Sequence, residues 1–211
     1  MINKNTRPFA GVEGGLLAVK LGQLIDSKSL NSIVVSTNDE ACISIAEDFQ
    51  KLDDRINIIR RPDELCLSTT NLVDLIKYVP QIVKDDHILW THVTTPFVEG
   101  ADYDEIISHY SRVLNEGHDS LMTCMELKNY LFDENAKLIN GTEGEWPRTQ
   151  DLDPVYELNH AVFLASRQIY LSMNNRLGQS PYIHVMHQLK SLDIDWEDDF
   201  VIAEAIYEKL K

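Results

Sequence analysis

Two aspartates near the end of this 211-residue chain, Asp193 and Asp195, have the spacing of a metal-binding pair. The apolar-rich segment at residues 182–194 predicts the last strand of the chain. Side chains two apart in an extended chain point to one face, so these carboxylates can act together. Mg²⁺ is usually held by one or two carboxylates, with substrate phosphates and waters completing its shell. The alternative is local: Asp195 is the N-cap of the helix that follows, and its acidic neighbours complement the helix dipole.

The elements that would position this pair alternate between strands and helices. Short apolar and β-branched runs predict strands at residues 32–37, 56–60, 87–93, 120–127, 155–165 and 182–194. Helical apolar spacing predicts helices at residues 16–25, 40–50, 72–80, 103–113, 168–173 and 195–211, with Pro80 ending or kinking the third. This order predicts a single α/β domain over residues 1–211, with a mostly parallel sheet covered by helices on both faces. Residues 128–160 indicate a hairpin or excursion.

Composition narrows the classes of partner. The formal charge of −15 would repel a nucleic-acid backbone or an anionic membrane, so neither is expected as a partner. No apolar run approaches the ~18 residues of a membrane helix. The cysteines Cys42, Cys66 and Cys124 are odd in number and far apart, which favours neither disulfides nor zinc. We therefore expect a cytoplasmic protein.

Six short segments, spread over nearly the whole chain, together indicate a family. The segments are Lys4-Asn5-x-Arg7-Pro8-Phe9-Ala10-Gly11, Val34-Val35-Ser36-Thr37-Asn38-Asp39-Glu40, Arg61-Pro62-Asp63-Glu64-Leu65, Thr94-Thr95-Pro96-Phe97, Asn159-His160-Ala161-Val162-Phe163 and Asp193-Ile194-Asp195-x-x-x-Asp199-Phe200. In this order and at these spacings they resemble the acylneuraminate cytidylyltransferases, or CMP-sialic acid synthetases. Relatives that activate legionaminic, pseudaminic or deoxyoctulosonic acid share much of this outline.

The resemblance implies a Rossmann-like, GT-A-like nucleotidyltransferase, usually a homodimer, that works with Mg²⁺. The anomeric hydroxyl of a nonulosonic-acid-type 2-keto-3-deoxy sugar acid would attack the α-phosphate of CTP, giving a CMP-sugar and pyrophosphate. Such a displacement needs charge neutralisation and positioning far more than covalent help. Under this resemblance, Asp193 and Asp195 are the catalytic metal ligands, and the excursion at residues 128–160 is a candidate dimerisation segment.

The resemblance also implies a nucleotide site. Lys4 would meet phosphate and Asn5 the nucleotide, although two polar residues in a terminal loop also suit plain solvation. Arg61 matches an arginine that contacts the nucleotide, and its alternative is a charge at a strand end.

Five residues match sugar-binding positions of the family. Arg148 suits a bidentate grip on a carboxylate, or alternatively a surface ion pair. An amide within a strand must be hydrogen-bonded, so Asn159 either faces substrate or is a satisfied core amide. His92 stands where the family has a glutamine, and Phe163 where a tyrosine is common. The sugar-binding candidates are His92, Arg148, Gln150, Asn159 and Phe163.

The chain departs from the family at its start. The family opens with a buried strand and a Gly/Ser/Arg-rich loop that wraps the triphosphate, whereas here Met1 falls just before Lys4 and Asn5. Such loops cradle phosphate with backbone N–H groups. We therefore expect the first strand to be missing and the chain as written to be catalytically weak or inactive. A start codon assigned too late, a trimmed chain and a degenerate relative each explain this.

Two other functions compete with this assignment. A GT-A-like glycosyltransferase, or another nucleotide-sugar enzyme, would also use a carboxylate pair to bind metal. A non-catalytic homologue would bind nucleotide, or act as a subunit, without turnover.

Overall fold

A computed structural model describes residues 2–142 and 146–210. Six strands form two sheets: β1 (Ile33–Thr37), β2 (Ile56–Arg60), β3 (His87–Trp90), β4 (Ser120–Leu127), β5 (Val155–Ser166) and β6 (Pro181–Val185). Strands β1 and β2 pair in parallel, and the larger sheet has the order β3-β5-β4-β6. In that larger sheet β5 runs antiparallel to β3 and β4, while β4 and β6 are parallel. The expected parallel sheet is thus a mixed arrangement in two parts.

Six helices separate and follow the strands: α1 (Gly15–Asp26), α2 (Glu40–Gln50), α3 (Leu72–Ile82), α4 (Gly100–Val113), α5 (Arg167–Met173) and α6 (Glu197–Leu210). The Asp39 side chain caps α2 by accepting from the backbone N–H groups of Ala41 and Cys42. Helix α1 is buried along most of its length, because it packs against both α2 and α4. None of the described helices is long and apolar enough to cross a membrane.

Three predicted boundaries were wrong. The last strand ends at Val185 rather than at residue 194, because a turn closed by hydrogen bonds from Ser191 N to His187 O and from Leu192 N to Leu189 O follows it. Pro80 does not end α3, which continues to Ile82, although a kink at Pro80 stays a prediction.

The third concerns the last helix, which begins at Glu197 rather than at residue 195. Its start is held by the Asp199 carboxylate, which accepts from the backbone N–H groups of Asp195 and Trp196. Asp195 is therefore not the capping side chain.

One buried lysine joins α1 to the loop that follows β3. The Lys20 ammonium donates to the Thr95 carbonyl at 2.8 Å and to the Tyr103 hydroxyl at 2.7 Å, while Lys20 is only 2% exposed. Beside it, Gln23 donates to the Pro96 carbonyl at 2.6 Å. Burial lowers the Lys20 pKa to about 7, although Glu99 and Asp102 act in the opposite direction. The Lys20 and Gln23 side chains of α1 thus hold the loop at residues 91–97 by hydrogen bonds to its backbone carbonyl groups.

The Lys20 pKa gives stability a pH dependence. Between pH 7 and 10.5 the unfolded chain holds a proton on Lys20 that the folded chain has lost, so stability rises with pH in this window. From pH 7 to pH 9 we expect this group to add about 2 kcal/mol to the free energy of unfolding. Urea unfolding of the wild type and of Lys20→Met at several pH values measures the difference. Equal pH slopes for the two proteins would contradict the assignment.

Candidate functional site

The cavity between the two sheets has a polar end where β1, β2 and β3 finish. The cavity has a volume of about 810 Å³, and all residues of β1 and β3 line it, so the two strands face each other across it without pairing. Its polar lining includes Ser36, Thr37 and Thr91. In open α/β sheets, ligands bind beyond the carboxyl ends of the strands. This end of the cavity is therefore where a nucleotide site is expected.

Two of the predicted nucleotide-binding residues meet at this cavity. Arg61 lines it and donates from Nη2 to the Ser36 carbonyl and from Nε to the Ser36 hydroxyl oxygen. Asn5 also lines it, and its backbone carbonyl accepts from Leu17 N at 2.9 Å. The Asn5 Oδ1 atom is buried and has no hydrogen-bond partner among the described residues. Asn5 therefore brings an unpaired buried acceptor to the wall of a cavity of ligand size.

Lys4 contacts the loop that carries the two aspartates, 190 residues further along the chain. Its ammonium donates to the Ile194 carbonyl at 2.9 Å and lies 3.9 Å from the Asp195 carboxylate. The same loop is anchored to the loop after β3, because Ile194 N donates to the Thr94 carbonyl at 3.0 Å. Asp193 and Asp195 therefore lie beside both the N-terminal residues and the end of β3.

These two carboxylates fit the requirements of Mg²⁺. Asp195 is exposed, whereas the Oδ1 atom of Asp193 is buried without a hydrogen-bond partner in the described chain. An orphaned carboxylate oxygen is an available ligand, and Mg²⁺ on a nucleotide needs only one or two from protein. Within the described ranges, no group of three or more His, Cys, Asp or Glu side chains could hold a metal by itself. The pair therefore suits a cation whose remaining ligands are the phosphate oxygens of a substrate.

A cluster of rings with one arginine lies beyond the end of β3. His92 packs against Trp90, His160 and Phe163, with ring centroids 5.2 to 6.5 Å apart. Burial lowers the His92 pKa to about 4, helped by the positive Arg176 and by His160, and opposed by Asp195. His92 is therefore neutral at pH 7, and its ring nitrogens can donate and accept hydrogen bonds.

Asn159 lies in the core and makes its hydrogen bonds within the protein. It is 3% exposed, donates to the Ser191 hydroxyl oxygen at 3.0 Å and accepts from the Thr123 hydroxyl at 2.6 Å. This position matches the alternative of a satisfied core amide, while a role in sugar binding stays a prediction. The bond from Asn159 to Ser191 supports the turn that leads to Asp193.

The next residue, His160, occupies a backbone conformation suited to glycine. Its φ is 59°, in the left-handed region, and the pairing of β4 with β5 shifts register at this point. A bulge there turns the histidine ring out of the strand's regular alternation, towards His92 and Phe163.

Arg148 and Gln150 are exposed, unlike the other predicted sugar-binding residues. The Arg148 guanidinium makes two hydrogen bonds to the Asp151 carboxylate, at 2.8 and 3.2 Å. This is the surface ion pair that the sequence left as an alternative, although a role in sugar binding stays a prediction.

Sequence reasoning missed Arg176, which is 6% exposed and lies over the Phe163 ring, 3.5 Å from its centroid. The sequence signal is weak, because an arginine in a polar loop between α5 and β6 has the pattern of a surface charge. Lys20 was missed for the opposite reason: a lysine in an apolar helix ordinarily extends to water, whereas here it is enclosed.

Sequence comparison confirms the resemblance to the acylneuraminate cytidylyltransferases. The chain is 27% identical over 179 residues to an N-acylneuraminate cytidylyltransferase of Streptococcus agalactiae, covering 80% of this chain and 41% of that protein. It is 22% identical over 215 residues to the N-acylneuraminate cytidylyltransferase of Escherichia coli, covering 98% and 49%. The chain thus spans less than half the length of these curated relatives. No protein-family model matches it.

Comparison with solved structures confirms the fold. A CMP:2-keto-3-deoxy-manno-octonic acid synthetase solved with CTP has a TM-score of 0.67 at 9% identity, covering 100% of this chain and 94% of that one. A 4-diphosphocytidyl-2C-methyl-D-erythritol synthase from Anaerococcus prevotii has a TM-score of 0.65 at 11% identity, covering 97% and 93%. The chain has the α/β fold of the cytidylyltransferases.

Proposed function

We propose that this chain provides the site of a cytidylyltransferase that activates an acidic 2-keto-3-deoxy sugar with CTP, giving a CMP-sugar and pyrophosphate. The observation that carries the proposal is the meeting of Lys4 with Asp195 beside the end of β3, next to the cavity lined by Asn5 and Arg61. The curated relatives named above are N-acylneuraminate cytidylyltransferases, which supports a sialic-acid-like sugar.

In this proposal the polar end of the cavity holds the nucleotide. The Asn5 side chain has a buried acceptor free for a ligand N–H or hydroxyl group. Lys4 keeps a positive charge next to the acidic pair, where the triphosphate would add several negative charges. The guanidinium of Arg61 is already bonded to Ser36 and so is held in one orientation at the cavity wall.

Asp193 and Asp195 would hold Mg²⁺ against the CTP phosphates. When bound, the cation supplies the charge neutralisation that phosphoryl transfer requires. The chain's own contribution is position: the hydrogen bond from Ile194 N to Thr94 O and the one from Lys4 to Ile194 O fix the main chain between the two carboxylates. Fixed charges of this kind need little reorganisation during the reaction.

We also propose that the protein acts in the cytoplasm. All three cysteines are free, and Cys42 and Cys124 are buried. Free thiols in such a chain suit a reducing compartment.

Replacing one carboxylate tests the proposal. Pyrophosphate release from CTP, Mg²⁺ and a panel of keto-sugar acids should fall about 100-fold in Asp193→Asn, because a charge that neutralises the transition state is lost. The matched control is Asp198→Asn, which removes an exposed carboxylate from the first turn of α6 and should stay within about twofold of wild type.

Equal effects of these two substitutions would contradict the proposal. Wild-type turnover of a sugar nucleotide without pyrophosphate release would instead identify a glycosyltransferase. Tight CTP binding with no release in the wild type would identify a nucleotide-binding homologue without catalysis.

We further propose that the excursion at residues 128–160 forms a homodimer contact. It carries four of the large exposed apolar side chains of the described residues: Phe132, Ile139, Trp146 and Tyr156. Trp146 is 77% exposed, and its ring is tilted by 58° against that of Tyr130, with centroids 5.4 Å apart. An apolar surface of this kind is stabilised by burial against a second copy.

Two tryptophans of equal exposure provide the test. In sedimentation equilibrium the wild type should have twice the chain mass, and Trp146→Ser should dissociate at least tenfold more readily because a large ring leaves the interface. Trp196→Ser, also 77% exposed but at the start of α6, is the control and should leave the mass unchanged. A monomeric wild type, or equal effects of both changes, would contradict the contact.

A further inference from the structure

Arg176 is a buried cation stacked on aromatic rings. It lies in the loop between α5 and β6, is 6% exposed, and its guanidinium carbon is 3.5 Å from the centroid of the Phe163 ring and 4.8 Å from that of Trp90. Stacking on two rings offsets part of the cost of burying the charge and fixes the plane of the guanidinium. The rings, however, satisfy none of its N–H donors.

No anion of the described chain pairs with this guanidinium. None of the ion pairs in the described ranges includes Arg176, and its Nη1 atom is buried without a hydrogen-bond partner. Burial lowers the Arg176 pKa, and the neighbouring Tyr170 hydroxyl only partly opposes this. The N–H donors on Nη1 are thus buried and unmet, and leaving a buried charged group without hydrogen bonds is costly.

Two further buried polar atoms without partners lie around the same rings as Arg176. They are Nε2 of His92, whose ring packs on Trp90 and Phe163, and the hydroxyl oxygen of Tyr170, which belongs to the core against which Trp90 packs. Seven such orphaned side-chain atoms occur in the described chain, and three of them belong to this one neighbourhood. Unsatisfied buried polar groups are rare in proteins. Three of them in one neighbourhood are therefore suited to binding a polar ligand.

The shape and charge of the cluster favour a carboxylate as that ligand. A planar guanidinium held between apolar rings matches a planar carboxylate with two parallel hydrogen bonds. His92 and Tyr170 are neutral at pH 7 and so offer hydrogen bonds without adding negative charge. His92 lies two residues before Thr94, whose carbonyl accepts from Ile194 N between the two aspartates, and this main-chain contact connects the cluster to them.

We propose that Arg176 binds the carboxylate of the acidic sugar and is a specificity-determining residue of this site. The proposal rests on the function proposed above for its choice of ligand. It assigns the carboxylate to an arginine that is buried and unpaired, in place of Arg148, which is exposed and bonded to Asp151.

The test compares a charged and an uncharged form of one sugar. Binding of N-acetylneuraminic acid and of its methyl ester is measured by calorimetry on the full chain without CTP. The wild type should bind the acid at least tenfold more tightly than the ester. In Arg176→Met the acid should bind about 10- to 100-fold more weakly, because hydrogen bonds to a charged group are lost, while the ester should bind as in the wild type.

Three further variants separate binding from folding. Arg176→Lys keeps the charge but loses the planar fork, so it should fold and retain only part of the preference for the acid. Arg112→Met removes an exposed arginine of α4 and should leave the preference unchanged. Arg148→Met tests the competing arginine directly.

Three results would overturn the proposal: no binding of the acid to the folded wild type, equal loss of acid and ester binding in both Arg176 variants, or loss of the preference in Arg148→Met alone. CTP binding is measured separately on the same proteins. If CTP fails to bind while the Arg176-dependent preference holds, the cytidylyltransferase assignment fails and the carboxylate site stands.

Discussion

The hydrogen bond from the buried Lys20 ammonium to the Thr95 carbonyl is the contact on which the site depends. It fixes the loop after β3 to α1, the most deeply buried helix of this fold. From that loop, Thr94 holds the main chain of Ile194, and Ile194 in turn accepts from Lys4. Three distant parts of the chain therefore meet through one short series of main-chain contacts. These main-chain contacts, rather than a strand, hold the two aspartates in position.

The charge of the molecule is distributed unevenly around this series of contacts. A chain with a formal charge of −15 encloses two basic side chains, Lys20 and Arg176, that have no carboxylate bonded to them in the described ranges. Lys20 is satisfied by a carbonyl and a hydroxyl, which accounts for its structural role. The Nη1 atom of Arg176 is buried without a hydrogen-bond acceptor among the described residues. The Oδ1 atom of Asp193 is buried without a hydrogen-bond donor in the described chain. A basic and an acidic group left unpaired beside one strand end suit two ligands, a sugar that carries a carboxylate and a nucleotide with metal-bound phosphates.

The order of the elements could be predicted because apolar periodicity is a local property, and α2, β1 and β2 lie within one residue of their predicted bounds. The end of β6 could not be predicted, because the apolar residues that follow it have the sequence pattern of a strand. Leu189, Leu192 and Ile194 instead pack into a second core with Phe9 and Phe200, and that packing needs a turn. The proximity of Lys4 to Asp195 could not be predicted from local pattern, because these residues are 191 positions apart in the sequence.

Burial was the least predictable property of the site. The sequence left open whether Asn159 faces substrate or the core, and in the structure Asn159 is bonded within the core while Arg176 covers Phe163. Arg148 had the better sequence match, whereas Arg176 has the enclosed position. Such differences arise from the pairing of β4, β5 and the loops beyond them, which is set by contacts far apart in sequence.

The most direct test of this account is a crystal structure of the chain with CTP and Mg²⁺. The account predicts the cytidine at the polar end of the cavity near Asn5 and Arg61, with the phosphates between Lys4 and Asp193. A nucleotide bound elsewhere on the protein, or an ordered Asp193 carboxylate turned away from the bound phosphates, would contradict it.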